Sequence, residues 1–308
     1  MTLSIRCLRG GLFEAEHTAS ACLVEGDRVR WQVGPDVASF WRSACKPMQL
    51  ATALECLPGL DLSDEELAIG AASHSGQSAH VAVVSRLLSR LELSADALQC
   101  GAHPPMHEVT SRELGKPTVL HNNCSGKHTF MLAASRAQGW DLDYRSPEHP
   151  LQRRNRVRLD EWAGVTHGVA VDGCSVPTFH APLSGQARAW ARLAAEMADG
   201  TAAGRVGLAM SRQPFYMSGD GRLDLVVVTG ASEPLAVKVG AEGLFCIARP
   251  GSRQGIAVKV HSGNDAALAV AVKAVLAELG VTLDGPWPWA EVRNVRRVLV
   301  GERVATFA

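Results

Sequence analysis

The sequence predicts an α+β fold: an antiparallel sheet built from both chain ends, flanked by helices, with an inserted helical lobe. Three observations predict it. Short β-prone runs cluster near the N-terminus, a second set clusters in the C-terminal third, and apolar residues at helical spacing fill the stretch between them. Strands contributed by both ends must pair with one another, which makes residues 1–308 a single two-lobed domain. The α/β lobe takes about 1–60 and 175–308, and a mainly helical lobe takes about 61–174.

SACLVE (20–25) and RVRWQV (28–33) read as a hairpin turning at Glu25-Gly26-Asp27. PMQLATALECL (47–57) carries apolar residues at helical spacing, with Pro47 suited to a first turn. Residues 62–72 and 79–93 are also predicted helical, the second amphipathic with arginine on its outer face. From 100 to 130 the periodicity fades and His, Asn, Gly, Pro and Cys accumulate, the composition of a loop that carries a site. Helices resume at 127–138, 149–163 and 184–198, broken by a polar, cysteine-bearing segment at 169–179. PLAVKVG (234–240) and LFCIAR (244–249) form a second hairpin, GIAVKV (255–260) another strand, and Asn264 caps an apolar helix to about 279. LDLVVVTG (223–230) satisfies either strand or helix.

The 308 residues are 46% hydrophobic, enough for a large core, and 31 basic residues balance 31 acidic ones. That balance favours neither nucleic acid nor an anionic membrane as partner. The N-terminus MTLSIRCLRGG lacks the apolar run of a signal peptide, and no stretch approaches a spanning helix, so a soluble cytoplasmic protein is predicted. Eight scattered cysteines then read as reduced thiols, with room for a metal site. Only six of the basic residues are lysine: Lys46, Lys116, Lys127, Lys238, Lys259 and Lys273. Where arginine supplies the general charge, a surviving lysine can mark a position that needs an amine able to lose its proton.

Ser43-x-x-Lys46 places a hydroxyl and an amine on one face at a helix start. Serine attacks poorly until a base removes its proton, and a neutral buried lysine can be that base. Taken alone, the spacing equally describes a helix cap followed by a surface lysine. Ser73-His74-Ser75-Gly76 and the strand triplet Lys238-Val239-Gly240 follow in the order found in serine acyl hydrolases of the β-lactamase and penicillin-binding class. Lys238 faces opposite to Val237 and Val239, so inward placement demands an acidic or hydroxyl partner. Two lysines near one serine would repel, pushing one toward neutrality. Cys124 and Cys174, each in a polar loop near glycine, could bind a borderline-soft metal; Cys-x-x-Lys is not a standard zinc spacing, and two unreactive thiols are the plainer reading.

RSACKP (42–47), ASHSG (72–76), CGAHP (100–104), NNCSGKH (122–128), DGCSVPTF (172–179) and LAVKVGAEG (235–243) together resemble the class 3, rhizobial-type L-asparaginases, from about residue 10 to 280. The resemblance implies a serine β-lactamase-like fold and hydrolysis of L-asparagine to aspartate and ammonia. A glutaminase or other amide hydrolase on the same scaffold is the alternative, as is a non-catalytic zinc-binding protein. It implies two pairs, Ser43 with Lys46 and Ser73 with Lys238, with Ser43 as nucleophile. It implies one zinc ion held by Cys124, Lys127 and Cys174 and supported by Asp172 and His128. His103, Arg42 and Asn123 are implied for substrate binding, and a homodimer for the assembly. Cys45, beside the nucleophile, stands where a small apolar residue is expected.

Overall fold

The computed structural model describes residues 1–165 and 168–308. The chain opens with strands β1 (Leu3–Arg9), β2 (Leu12–Glu25), β3 (Arg28–Val33) and β4 (Ala38–Phe40). Helices α1 (Lys46–Glu55), α2 (Asp64–Gly70), α3 (Ser78–Arg90), α4 (Glu108–Glu113), α5 (Ser125–Ala137) and α6 (Pro150–Ala163) follow. Strands β5 (Gly168–Val171) and β6 (Pro177–Pro182) precede α7 (Leu183–Asp199), α8 (Ala202–Arg212), α9 (Pro214–Met217) and α10 (Leu223–Gly230). Then come β7 (Ala236–Gly240), β8 (Leu244–Arg249), β9 (Gln254–Val260), α11 (Asp265–Glu278), β10 (Glu291–Arg293) and β11 (Leu299–Phe307).

The fold is α+β, and its main sheet is antiparallel and built from both chain ends. The strand order is β10-β11-β1-β2-β9-β8-β7, with β3 also paired to β2. Leu3 lies opposite Phe307, and Ala19 opposite Val260, so each end of the chain supplies the partner the other needs. Every residue from Leu244 to Ala248 is buried. Because successive side chains leave a strand on opposite faces, such a run requires cover on both sides of the sheet. Helices α7 and α11 both pack on this sheet. A small second sheet, β4-β6-β5, joins the strand just before helices α1–α6 to the two strands that follow them.

Both expected hairpins form, β2 to β3 and β7 to β8. The Asn264 side chain caps α11 by accepting from the Ala267 N–H, and Ser63 with Glu66 forms a capping box on α2. The ambiguous stretch 223–230 is helical, as α10. Strands β1, β4, β10 and β11 and helices α4, α8 and α9 lie outside the sequence reading, and the segment 169–179, read as irregular, supplies most of β5 and the start of β6, because pairing between distant segments makes these short strands. In β11 half-buried and exposed positions alternate, and Gly301, Glu302 and Arg303 sit in the middle of the strand, which dilutes its apolar signal. No helix among the described residues is long and apolar enough to cross a membrane.

Candidate active site

The chain enters the site at a backbone corner. Trp41 is fully buried and its N–H donates to the Phe179 carbonyl; the Arg42 N–H donates to Thr178 Oγ1 at 3.1 Å. Arg42 has φ of +46°, the left-handed region that L residues avoid at a cost on the order of 1–2 kcal/mol. This turn swings Ser43 out of the strand direction and into the short 3₁₀ stretch Arg42–Cys45 that leads into α1. The corner is braced from three sides. The Cys45 thiol donates to the Arg42 carbonyl at 3.1 Å, Trp190 of α7 donates to the Ala44 carbonyl at 3.2 Å, and Arg42 pairs with Asp172. Cys45 is therefore a packing and bracing residue, and burial pushes its thiol up to about 12. Gly240 lets the end of β7 close on this corner: a Cβ there would stand 2.9 Å from the Trp41 carbonyl oxygen.

Lys46, the first residue of α1, is wholly buried. Its Nζ donates to the Ala72 carbonyl and to Ser73 Oγ, the latter at 2.9 Å. Ser73 is held by its own backbone, whose N–H donates to the Met217 carbonyl, while the His74 N–H donates to the Asn123 carbonyl. The amine therefore joins Ser73; among the described residues no hydrogen bond joins it to Ser43. Both hydroxyls nevertheless face one cavity of about 400 Å³, which Ser43, Ser73, Asn123, Asp224 and Trp289 help to line.

Lys238 lies on β7 opposite Cys246, with no exposed surface. Its Nζ is 3.4 Å from Asp224 Oδ1 and 3.2 Å from the Val239 carbonyl oxygen. Burial pushes this amine down to about 8; Asp224 opposes the effect and the charge of Lys46 adds to it. The acidic partner that an inward-facing Lys238 requires is thus Asp224, rather than the hydroxyl of Ser73.

Cys124, Lys127 and Cys174 converge at the start of α5, all at most 4% exposed. Lys127 Nζ donates to Cys174 Sγ at 3.1 Å, and the Cys174 thiol in turn bonds Cys124. That bond holds Cys124 well below the usual thiol range, against the effect of burial. Burial also opposes charge on Lys127, yet the Cys174 and Cys124 sulfurs outweigh it and push the amine up. Gly126 makes the convergence possible, because a Cβ there would stand 2.1 Å from the Ile69 carbonyl oxygen of α2. Among the described residues no three His, Cys, Asp or Glu side chains gather to hold a metal. The third donor here is an amine, and two sulfurs with one nitrogen suit a borderline-soft dication.

The remaining sequence-derived candidates divide. Asp172 pairs with Arg42, and its Oδ2 is 3.7 Å from Cys174 Sγ, so it touches both the corner and the cysteine cluster. His128 is buried with Nδ1 3.0 Å from the Tyr144 hydroxyl, and its Nε2 has no partner among the described residues. Burial, then the charge of Lys127, holds it well below the usual imidazole range. Asn123 lines the cavity, whereas Arg42 is committed to Asp172. His103 is exposed, with Nδ1 2.6 Å from the Pro104 carbonyl oxygen; from its loop Met106, not His103, reaches the cavity wall. Asp224 and His74 were not anticipated. His74, wholly buried, links Ser125 Oγ to the Gly76 N–H. A lone acid in the apolar run LDLVVVTG was the available signal for Asp224.

The family model for L-asparaginase II matches residues 5–304. No curated protein matches the chain. Among solved structures, a β-lactamase from Mycobacterium bovis aligns at 14% identity over 84% of this chain and 94% of that one, with a TM-score of 0.44.

Proposed function

The chain belongs to the L-asparaginase II family, and from that premise we propose that it hydrolyses the side-chain amide of L-asparagine to aspartate and ammonia through an acyl-enzyme. The observation that carries the reading is the placement of Lys46: buried, bonded to Ser73, and set beneath a cavity onto which Ser43 also opens. A neutral amine has two hydrogens. The Ala72 carbonyl and Ser73 Oγ accept two hydrogens of the Lys46 amine, and the Cys124 sulfur is its third neighbour; once the amine has given up its extra proton, its lone pair can take the proton of the serine.

In this mechanism Ser43 attacks the amide carbon, and its proton passes to Lys46 directly or through the Ser73 hydroxyl. The C–N bond then breaks and ammonia leaves carrying that proton. Water cleaves the resulting ester and regenerates Ser43. Lys238, the easily deprotonated amine behind the wall, keeps positive charge near Lys46 low at alkaline pH. Cys124, Lys127 and Cys174 would hold one zinc ion, which when bound supplies a positive charge suited to orienting the substrate carboxylate or amine.

Ammonia release from asparagine and glutamine, assayed side by side, tests the proposal. Turnover of asparagine that Ser43→Ala abolishes supports it. A preference for glutamine would move the substrate to that amide, and no turnover of either would overturn the hydrolase reading.

A further inference from the structure

We propose that Asp224 is a positioning residue that acts through Lys238, fixing where that amine stands and whether it carries charge behind the cavity wall. The inference rests on the catalytic reading of Ser43, Lys46, Ser73 and Lys238 given above.

The geometry is that of a clamp with one jaw tied to the backbone. Asp224 Oδ1 accepts from the Val239 N–H at 2.8 Å and stands 3.4 Å from Lys238 Nζ. One oxygen therefore ties the first turn of α10 to β7 and faces the amine of the residue beside the tie. Asp224 is 1% exposed and its Oδ2 has no partner among the described residues, although the residue forms part of the cavity wall. A buried carboxylate with an unfilled acceptor is costly to keep for packing alone. It is retained with reason if its charge is needed by the amine it faces.

The other groups around Lys238 do not replace it. Arg222, just before α10, and Lys46 in α1 are cations that disfavour a charged Lys238. Cys246 on β8 is a buried thiol, pushed well up by burial and by Cys45 from the corner. Helix α8, which also packs on β7, buries only apolar residues. Asp224 is the one carboxyl group among these neighbours.

The test uses the full-length chain with lysine labelled by carbon-13 at Cε. Six lysines give few signals, and Lys238→Met identifies the one in question. Asp224→Asn keeps an acceptor for the Val239 N–H and removes the charge. It is expected to move the Lys238 midpoint down by about one pH unit or more. The alkaline-rising limb of kcat should move with it, while KM stays within about threefold. An unmoved midpoint in folded Asp224→Asn overturns the proposal, as does a moved midpoint with an unmoved limb. If Asp224→Asn does not fold, the unsubstituted protein decides: the carboxyl carbon of Asp224 must report the same midpoint as Lys238, and independent behaviour of the two overturns the proposal. Because the titrations need no substrate, a protein that hydrolyses neither amide fails the catalytic reading separately, with the Asp224–Lys238 linkage still measured.

Discussion

Lys46 Nζ stands 2.9 Å from Ser73 Oγ, so the lysine that sequence spacing joins to Ser43 is hydrogen-bonded to the serine of the second motif. The two serines should therefore respond differently to removal. Ser43 is half-exposed and lines the cavity, so Ser43→Ala should leave the melting temperature within about 1–2 °C while lowering kcat by about a thousandfold or more. Ser73→Ala removes the acceptor of a buried amine and should cost about 1–3 kcal/mol as well as activity. Thermal unfolding together with ammonia release distinguishes them. Equal losses of stability would show that Lys46 depends on both hydroxyls.

The legibility of this site followed the range of the interactions. Ser43, Lys46, Ser73 and Lys238 could be picked out because hydroxyl and amine residues in polar or turn-bearing motifs stand apart from an arginine-rich background. Their partners could not, because pairing is decided by contacts between segments far apart in the chain. Lys46 crosses to Ser73, and Lys238 reaches back to Asp224 on a helix whose sequence reads equally as strand. The strained φ of Arg42 is invisible in RSACKP, since arginine gives no hint of a left-handed turn. Helices α2, α3 and α11 were legible because their periodicity and caps are local.

Lys238 gives activity and stability the same pH window. Its folded value of about 8 lies below the ordinary 10.5, so the unfolded chain binds this proton more tightly. Between those values the unfolded state carries more protons at this position, and the residue's contribution to stability rises with pH. Below pH 8 the full burial cost applies, on the order of 3 kcal/mol. Denaturant unfolding from pH 7.5 to 10 should show this rise relative to Lys238→Met, which has no proton to lose. The neutral amine is the form that leaves Lys46 least crowded by charge, so kcat should climb through about pH 8. A rate maximum near pH 5 would rule out that role.

Gly126→Ala should reverse the usual effect of such a change in a helix. Alanine in place of glycine ordinarily stabilises a helix interior by about 1 kcal/mol. Here the new methyl would meet the Ile69 carbonyl oxygen at 2.1 Å, a backbone atom that cannot rotate away. The helices must separate, at about 3 kcal/mol or more, which is a fall of roughly 5 °C in Tm for a chain of this size. Since Cys124 and Lys127 flank this position, metal affinity should fall with it. A stabilised Gly126→Ala protein would show that α2 and α5 are not held this closely.

The cysteine cluster gives the zinc proposal a direct stability readout. Cys124, Lys127 and Cys174 are buried together, and without a metal the three sit as two sulfurs beside an ammonium in an apolar interior, a poorly matched set. A dication that displaces their protons removes that mismatch, so binding should couple to folding and to pH. One zinc per chain is expected by elemental analysis. At a free zinc concentration a thousandfold above Kd, linkage adds about 4 kcal/mol, or roughly 6 °C in Tm. Chelation should remove that increment and readdition of zinc restore it. Cys174→Ser should abolish both the stoichiometric zinc and the chelator-sensitive part of Tm, because it replaces one of the two sulfur donors with a hydroxyl that binds zinc poorly. A Tm indifferent to chelator in the unsubstituted protein, with no zinc retained after purification in its presence, would identify the three residues as a metal-independent ion cluster. Hydrolysis would then be carried by the serines and lysines alone.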